Sequence, residues 1–116
     1  MDLVQQVMDT NFYGYVNMTR CALPHLRHNK GQIVVVSSMS GLLPIPYRAA
    51  YCASKYALQG FFDTLYYEEQ GNIDVTLFCP SSLTGSNFRK NSLTGEIADS
   101  DSKNAVSVEQ AAYLCI

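Results

Sequence analysis

No glycine-rich turn of the kind that wraps a phosphate group occurs anywhere in this chain. The phosphate-cradling half of a nucleotide site is therefore not written in these residues. Clusters of positive charge are missing as well. The longest basic run is the pair Arg89-Lys90, and the formal net charge is −2, which argues against a nucleic-acid surface. There is no apolar run long enough to span a bilayer, and the first residues, Met-Asp-Leu-Val-Gln-Gln, lack the basic and apolar blocks of a signal peptide. If the chain is a piece of a longer one, that last absence does not extend to the parent. Cys-x-x-Cys spacing is absent too. Cys21, Cys52, Cys79 and Cys115 sit far apart, which points to reduced, mostly buried thiols in a reducing compartment. His25 and His28 are three apart with no third ligand supplied by pattern, so no metal site is expected. Asn17-Met18-Thr19 matches a glycosylation acceptor but falls inside an expected helix, where a chance match explains it better.

What is present is apolar and periodic. At 116 residues and 47% hydrophobic, the chain has the means to build a core and is one domain or part of one. Residues 2–28 read as a long helix, with Val4, Val7, Met8, Phe12, Tyr15, Met18, Thr19, Ala22 and Leu23 at helical spacing. Pro24 is expected to bend or shorten its last turn. Asn29-Lys30-Gly31 is a break. Residues 32–37 form a strand whose continuous β-branched centre predicts cover on both faces, and hence a parallel sheet. After a loop with Gly41, Pro44 and Pro46, a second helix is expected over 48–69, with Gly71 as terminator. Residues 74–79 are a second buried strand, ended by Pro80. Residues 81–105 read as a polar loop region, and a third helix begins near Val106, with Ser107 and Gln110 as a capping box. The order helix-strand-helix-strand-helix is a βαβ crossover with flanking helices. The fold class is α/β, a partial doubly wound parallel sheet of Rossmann-like type. Two strands leave the first without a neighbour on one edge, so further sequence before Met1 is expected.

The chemistry concentrates in Tyr51-Cys52-Ala53-Ser54-Lys55. A phenol and an ammonium four residues apart share a helix face. Thirteen residues before the tyrosine, the strand Ile33-Val34-Val35-Val36 ends in Ser37-Ser38. At roughly 4 Å and an effective dielectric of about 20, an ammonium stabilises a phenolate by about 4 kcal/mol. That is almost three pKa units at about 1.4 kcal/mol each, starting from about 10. Burial opposes the shift, so the pair is expected to bring the phenol near, but not below, neutrality. Ser38 ends a parallel strand, where open α/β sheets bind ligands. Its hydroxyl can stabilise charge developing on a substrate oxygen. Each feature alone is more often structural: Tyr-x-x-x-Lys arises by chance, and serines end strands for reasons of turn chemistry. Their order on the right elements is much harder to dismiss.

Gly31-Gln32-Ile33-Val34-Val35-Val36-Ser37-Ser38-Met39-Ser40-Gly41, then Pro46, then Tyr51-Cys52-Ala53-Ser54-Lys55-Tyr56-Ala57-Leu58-Gln59-Gly60-Phe61 resembles the short-chain dehydrogenase/reductase family. The resemblance runs over residues 8–80, more weakly to the end. Met8-Asp9-Thr10-Asn11-Phe12-Tyr13-Gly14, Ala22-Leu23-Pro24 and Gly60-Phe61-Phe62 point to the 11-beta-hydroxysteroid dehydrogenase-like branch. The resemblance implies an oxidoreductase using NAD or NADP to interconvert a secondary alcohol and a ketone by hydride transfer. It implies Tyr51 as general acid/base and Lys55 as the group that lowers its pKa and holds the nicotinamide ribose. It further implies Ser38 as the group that polarises the substrate oxygen, and Asn11 as the organiser of a water in a proton relay. Without the resemblance Asn11 is a polar residue on a helix face. Pro80 and Ser81 fall where the family's loop contacts the cofactor. Two departures stand out. The family's glycine-rich turn, its NAD/NADP selector and its Asn-Asn-Ala-Gly segment would all lie upstream of Met1. The family's Pro-Gly is here Pro80-Ser81, and Gly85 stands where a nicotinamide-contacting Thr is expected, with Thr84 or Ser86 as substitutes.

The 116 residues thus read as the catalytic-half segment of a single short-chain dehydrogenase domain, inactive or nearly so in isolation. The alternative is a truncated, non-catalytic product acting through helix-mediated association with full-length partners. The partners implied are a small alcohol or ketone and, in the intact parent, a second copy through the two long helices, with no nucleic acid. Substrate identity, NAD against NADP, and a cytoplasmic location against attachment to the endoplasmic reticulum membrane stay open.

Overall fold

The computed structural model describes residues 2–84 and 105–113. The chain divides into two units, 1–79 and 80–116.

The first unit opens with α1, Leu3–Met8, whose N-cap Asp2 accepts a hydrogen bond from the Val4 backbone N–H. The helix then widens into a π-helical turn, Asp9–Tyr13, and resumes as α2, Gly14–Asn29. The expected single helix is therefore one rod with a π turn inside it, and Asn11 lies in that turn. Single π turns re-phase the side chains that follow and cluster at functional sites. Pro24 does not shorten α2, which runs to Asn29. Pro24 and Arg20, whose carbonyl loses its helical partner, are both exposed, so water can take the missing bond. The helix stops because Lys30 is left-handed (φ 48°), its N–H reaching the Arg27 and Leu26 carbonyls. The Gly31 N–H also bonds Leu26 O at 2.8 Å, completing a Schellman-type stop.

β1, Gln32–Val36, leads through a 3-10 turn, Met39–Gly41, to α3, Ala49–Glu68, and on to β2, Asp74–Phe78. The strands pair in parallel, with Gln32 opposite Asp74 and Val36 opposite Phe78. Gly71 takes φ +83° in the turn after α3, as its expected role as terminator requires. Val35, Leu58, Phe62, Leu65, Ile73 and Val75 form the core, with Leu23, Leu26, Ile33 and Leu77 packed against it. Cover on both faces of β1 is not what the structure shows. Val35 is 1% exposed, whereas Val34 and Val36 are 41% and 48% exposed. The β-branched run set the strand, but α2 and α3 contribute to the same core and bury the Val35 face.

At the far end of α3, Glu69 is 3% exposed and forms an ion pair with Arg27 of α2. The Arg27 Nε–Glu69 Oε2 bond is 2.9 Å, and Asn72 also donates to Glu69. Cys52 is buried and Cys79 half-buried, but Cys21 is exposed, contrary to the expectation for a mostly buried set. All three thiols are free, and Cys115 lies outside the described residues. Among the described residues no helix is long and apolar enough to cross a membrane.

In the second unit, β3 (Leu83–Thr84) pairs in parallel with β4 (Val106–Ser107), and α4 spans Val108–Tyr113. The expected capping box is present. Ser107 N–H donates to Gln110 Oε1, and Gln110 N–H donates to Ser107 Oγ, both at 3.1 Å. The helix begins two residues later than expected because Val106 and Ser107 are taken by β4.

Candidate active site

Three elements of the first unit deliver polar side chains to one end of β1. Ser38 follows the strand in extended conformation and caps the 3-10 turn, its Oγ accepting from Ser40 N–H at 3.2 Å. That turn is pressed against α3. A Cβ at Gly41 would lie 2.8 Å from Lys55 O, so only glycine allows this approach. Tyr51 and Lys55 sit in the first two turns of α3, on one face as their spacing requires.

Ser38 stands close enough to the Tyr51 phenol to pull its pKa down. Lys55 is 7% exposed, donates from Nζ to Val36 O at 3.3 Å, and lies 5.8 Å from the Tyr51 ring centroid. Serine, tyrosine and lysine are thus brought together. Asn11 joins through Ser54. Its Nδ2 donates to Ser54 Oγ at 3.2 Å, and Ser54 Oγ donates to Tyr51 O at 2.7 Å. The amide therefore braces the backbone of the tyrosine's own turn. Pro80 and Ser81 open the second unit, where Ser81 is exposed. Thr84 ends β3, and Gly85 and Ser86 lie outside the described residues.

The electrostatics depart from the expected neutral-range phenol. Burial pushes the Tyr51 phenol above its ordinary 10.0, outweighing the Ser38 hydrogen bond and the Arg48 guanidinium, which both pull it down. Burial also depresses the Lys55 ammonium, outweighing the opposing charge effect of Cys79. The ammonium lies beside the tyrosine's ring and is bonded to a backbone carbonyl, a geometry that leaves desolvation dominant at the phenol.

Three residues of this neighbourhood escaped the sequence reading. Tyr15 donates to the same Val36 carbonyl at 3.1 Å, and its ring centroid is 5.5 Å from Lys55 Nζ. Its only signal was its position four residues after Asn11. Ser54 was read as part of a motif, without a bond of its own. Arg48, three residues before Tyr51, is half-buried in the turn leading into α3.

A bound nicotinamide cofactor fits this chemistry. Lys55 carries three N–H donors, and the bond to Val36 uses one of them. It faces two tyrosines, and the described residues form no ion pair other than Arg27–Glu69. A ribose diol can take donors of this kind.

A family model described as short chain dehydrogenase matches residues 1–96. Among curated proteins, the chain is similar to dehydrogenase/reductase SDR family member 7 of Homo sapiens. The two are 38% identical over 107 residues, 90% of this chain and 31% of that protein. It is 47% identical over 88 residues to 11-beta-hydroxysteroid dehydrogenase A of Sesamum indicum, 72% of this chain and 25% of that protein. The chain spans about a quarter to a third of the length of these relatives. A short chain dehydrogenase from Burkholderia cenocepacia shares its fold, with a TM-score of 0.80 at 22% identity, over 97% of this chain and 44% of the other. A 4-hydroxyisoleucine dehydrogenase solved with NADH and succinate matches at TM-score 0.65 and 34% identity, over 70% of this chain and 39% of the other. With the serine, tyrosine and lysine gathered at the end of a parallel strand and the family pattern covering most of its length, this chain belongs to the short-chain dehydrogenase family.

Proposed function

We propose that the 116 residues are the catalytic-half segment of a longer NAD(P)-dependent oxidoreductase that interconverts a secondary alcohol and a ketone. The observation that carries this reading is the convergence of Ser38, Tyr51 and Lys55 at the end of β1. Tyr51 is the general acid/base: it gives its phenolic proton to a carbonyl oxygen, or takes the proton of a hydroxyl. Ser38, beside the phenol, holds that substrate oxygen next to it. Lys55 stabilises the phenolate and binds the nicotinamide ribose together with Tyr51, while Pro80 and Ser81 lie on the loop assigned to the cofactor. Asn11, fixed through Ser54, keeps the first turn of α3 in place and organises the proton relay to Lys55. The cofactor, NAD or NADP, supplies the hydride chemistry when bound. The substrate is a small alcohol or ketone, and the steroid dehydrogenase-like relatives favour an apolar one. In the parent, α2 and α3 pair with a second copy. Met18 and Tyr67, 76% and 70% exposed, support that pairing.

The test begins with the native polypeptide, recovered through peptides from residues 31–55, and its mass. That polypeptide is expected to bind NADH or NADPH and to reduce ketones. Tyr51→Phe is expected to lower turnover about 10²–10⁴-fold, the usual share of a general acid/base. A native polypeptide that binds neither nucleotide overturns the reading and turns attention to the helix-mediated association of a truncated product.

A further inference from the structure

Tyr15 has no role in the chemistry assigned so far, yet it sits within it. Its hydroxyl donates to Val36 O at 3.1 Å, and Lys55 Nζ donates to the same oxygen at 3.3 Å. A carbonyl oxygen has two lone pairs and can accept both. The Lys55 ammonium also lies 5.5 Å from the Tyr15 ring centroid and 5.8 Å from that of Tyr51, within the range where an aromatic face attracts a cation. Among the described residues, the groups in hydrogen-bond or cation–π range of the Lys55 ammonium are two phenol rings and one carbonyl, with Cys79 near enough to act on its charge. A lysine side chain is long and loses much rotamer freedom when fixed. Lys55 is only 7% exposed, its ammonium bonds one backbone carbonyl, and both rings stand within cation–π range of it. Tyr15 is held in turn by packing against the core and by its place in the first turns of α2, just after the π turn.

We propose that Tyr15 is a positioning residue that clamps Lys55 at the Val36 carbonyl, its hydroxyl tied to that oxygen and its ring set against the ammonium. The significance of the clamp for catalysis rests on the roles proposed above for Tyr51 and Lys55, whereas the clamp itself does not. A lysine fixed beside Tyr51 in advance need not be ordered when cofactor and substrate arrive. One helical rod thus carries both Asn11, which braces the turn of Tyr51, and Tyr15, which holds Lys55.

The test needs no catalysis. Carbon-13 relaxation at Cε of the lysines in the 116-residue chain reads how firmly each side chain is held. In the wild type, Lys55 is expected to be rigid and the exposed Lys30 mobile. Tyr15→Phe keeps the ring and removes the tie to Val36; Lys55 should lose a large part of its order. Tyr15→Leu removes the ring as well, and Lys55 should approach the mobility of Lys30. Phe12→Leu loosens the same helix without touching the carbonyl and should leave Lys55 rigid. If Tyr15→Leu does not fold, Tyr15→Phe decides. Unchanged order at Lys55 in Tyr15→Phe overturns the proposal, and so does an equal loss in Phe12→Leu. A native polypeptide that binds no nicotinamide nucleotide, together with the expected loosening of Lys55 in the 116-residue chain, would reject the dehydrogenase reading and keep the clamp.

Discussion

Tyr51 shows how far a residue's neighbours can move it from its sequence expectation. Four residues of separation from Lys55 put an ammonium on the right helix face, and that much was legible. Whether the phenol's pKa falls depends on the burial of its oxygen and on what else bonds it. Here burial wins, and the phenol ionises above its ordinary value. The expected outcome of an ultraviolet titration is a phenolate step above pH 10.0 that is present in the wild type and missing in Tyr51→Phe. Arg48→Met should move that step higher still, because the Arg48 guanidinium pulls it down. Because the folded pKa is raised, the folded state keeps its proton longer than the unfolded chain does. This residue therefore costs stability only as pH rises past the unfolded value near 10. A step at or below pH 10 in the wild type would contradict the burial argument.

At the scale of elements, the contact between the 3-10 turn and α3 is what sets Ser38 against Tyr51. Gly41 makes it possible, since a Cβ there would meet Lys55 O at 2.8 Å and Ser37 Oγ at 3.2 Å. Backbone cannot yield as a side chain can, so Gly41→Ala should cost about 1–3 kcal/mol through overpacking. Gly60 lies inside α3 with nothing within 4 Å of an added Cβ. Gly60→Ala should therefore stabilise the helix by about 0.5–1 kcal/mol. Urea unfolding of the two variants checks the pair; equal effects would mean that the turn is not pressed against the helix. The element boundaries were legible where turn chemistry speaks locally, as at Gly71 and in the Ser107/Gln110 capping box. They were not legible at the π turn, because the bond from Gly14 N–H to Asp9 O leaves no mark in hydrophobic spacing. The stop of α2 falls within the expected break Asn29-Lys30-Gly31, where the structure puts the left-handed position at Lys30, one before the glycine.

Across the first unit as a whole, the ion pair of Arg27 with Glu69 joins the end of α2 to the end of α3, far along both helices from Ser38 and Tyr51. The Arg27 hydrogen bond holds the Glu69 carboxyl below its ordinary range, against the opposing effect of burial. A depressed folded pKa means stability that is present above the unfolded value of 4.5 and lost as pH falls through the folded one. Glu69→Gln should therefore be less stable than the wild type near neutrality, with the gap closing below about pH 4. Thermal unfolding across pH 3 to 7 reads this directly. A gap that does not change with pH would assign the loss to packing instead of charge.

Sequence alone determined the helix-strand-helix-strand order of the first unit, the parallel pairing of its strands and the presence of a serine, a tyrosine and a lysine on elements able to bring them together, but not the short strands β3 and β4. These follow from period, propensity and spacing, all of which act within a few residues. Only the tertiary structure decided which face of β1 is buried, that Asn11 bonds Ser54, that burial raises the tyrosine's pKa, and that Tyr15 stands beside Lys55. Each of these depends on the distance between groups far apart in the chain, and folding sets that distance by packing whole helices against a strand.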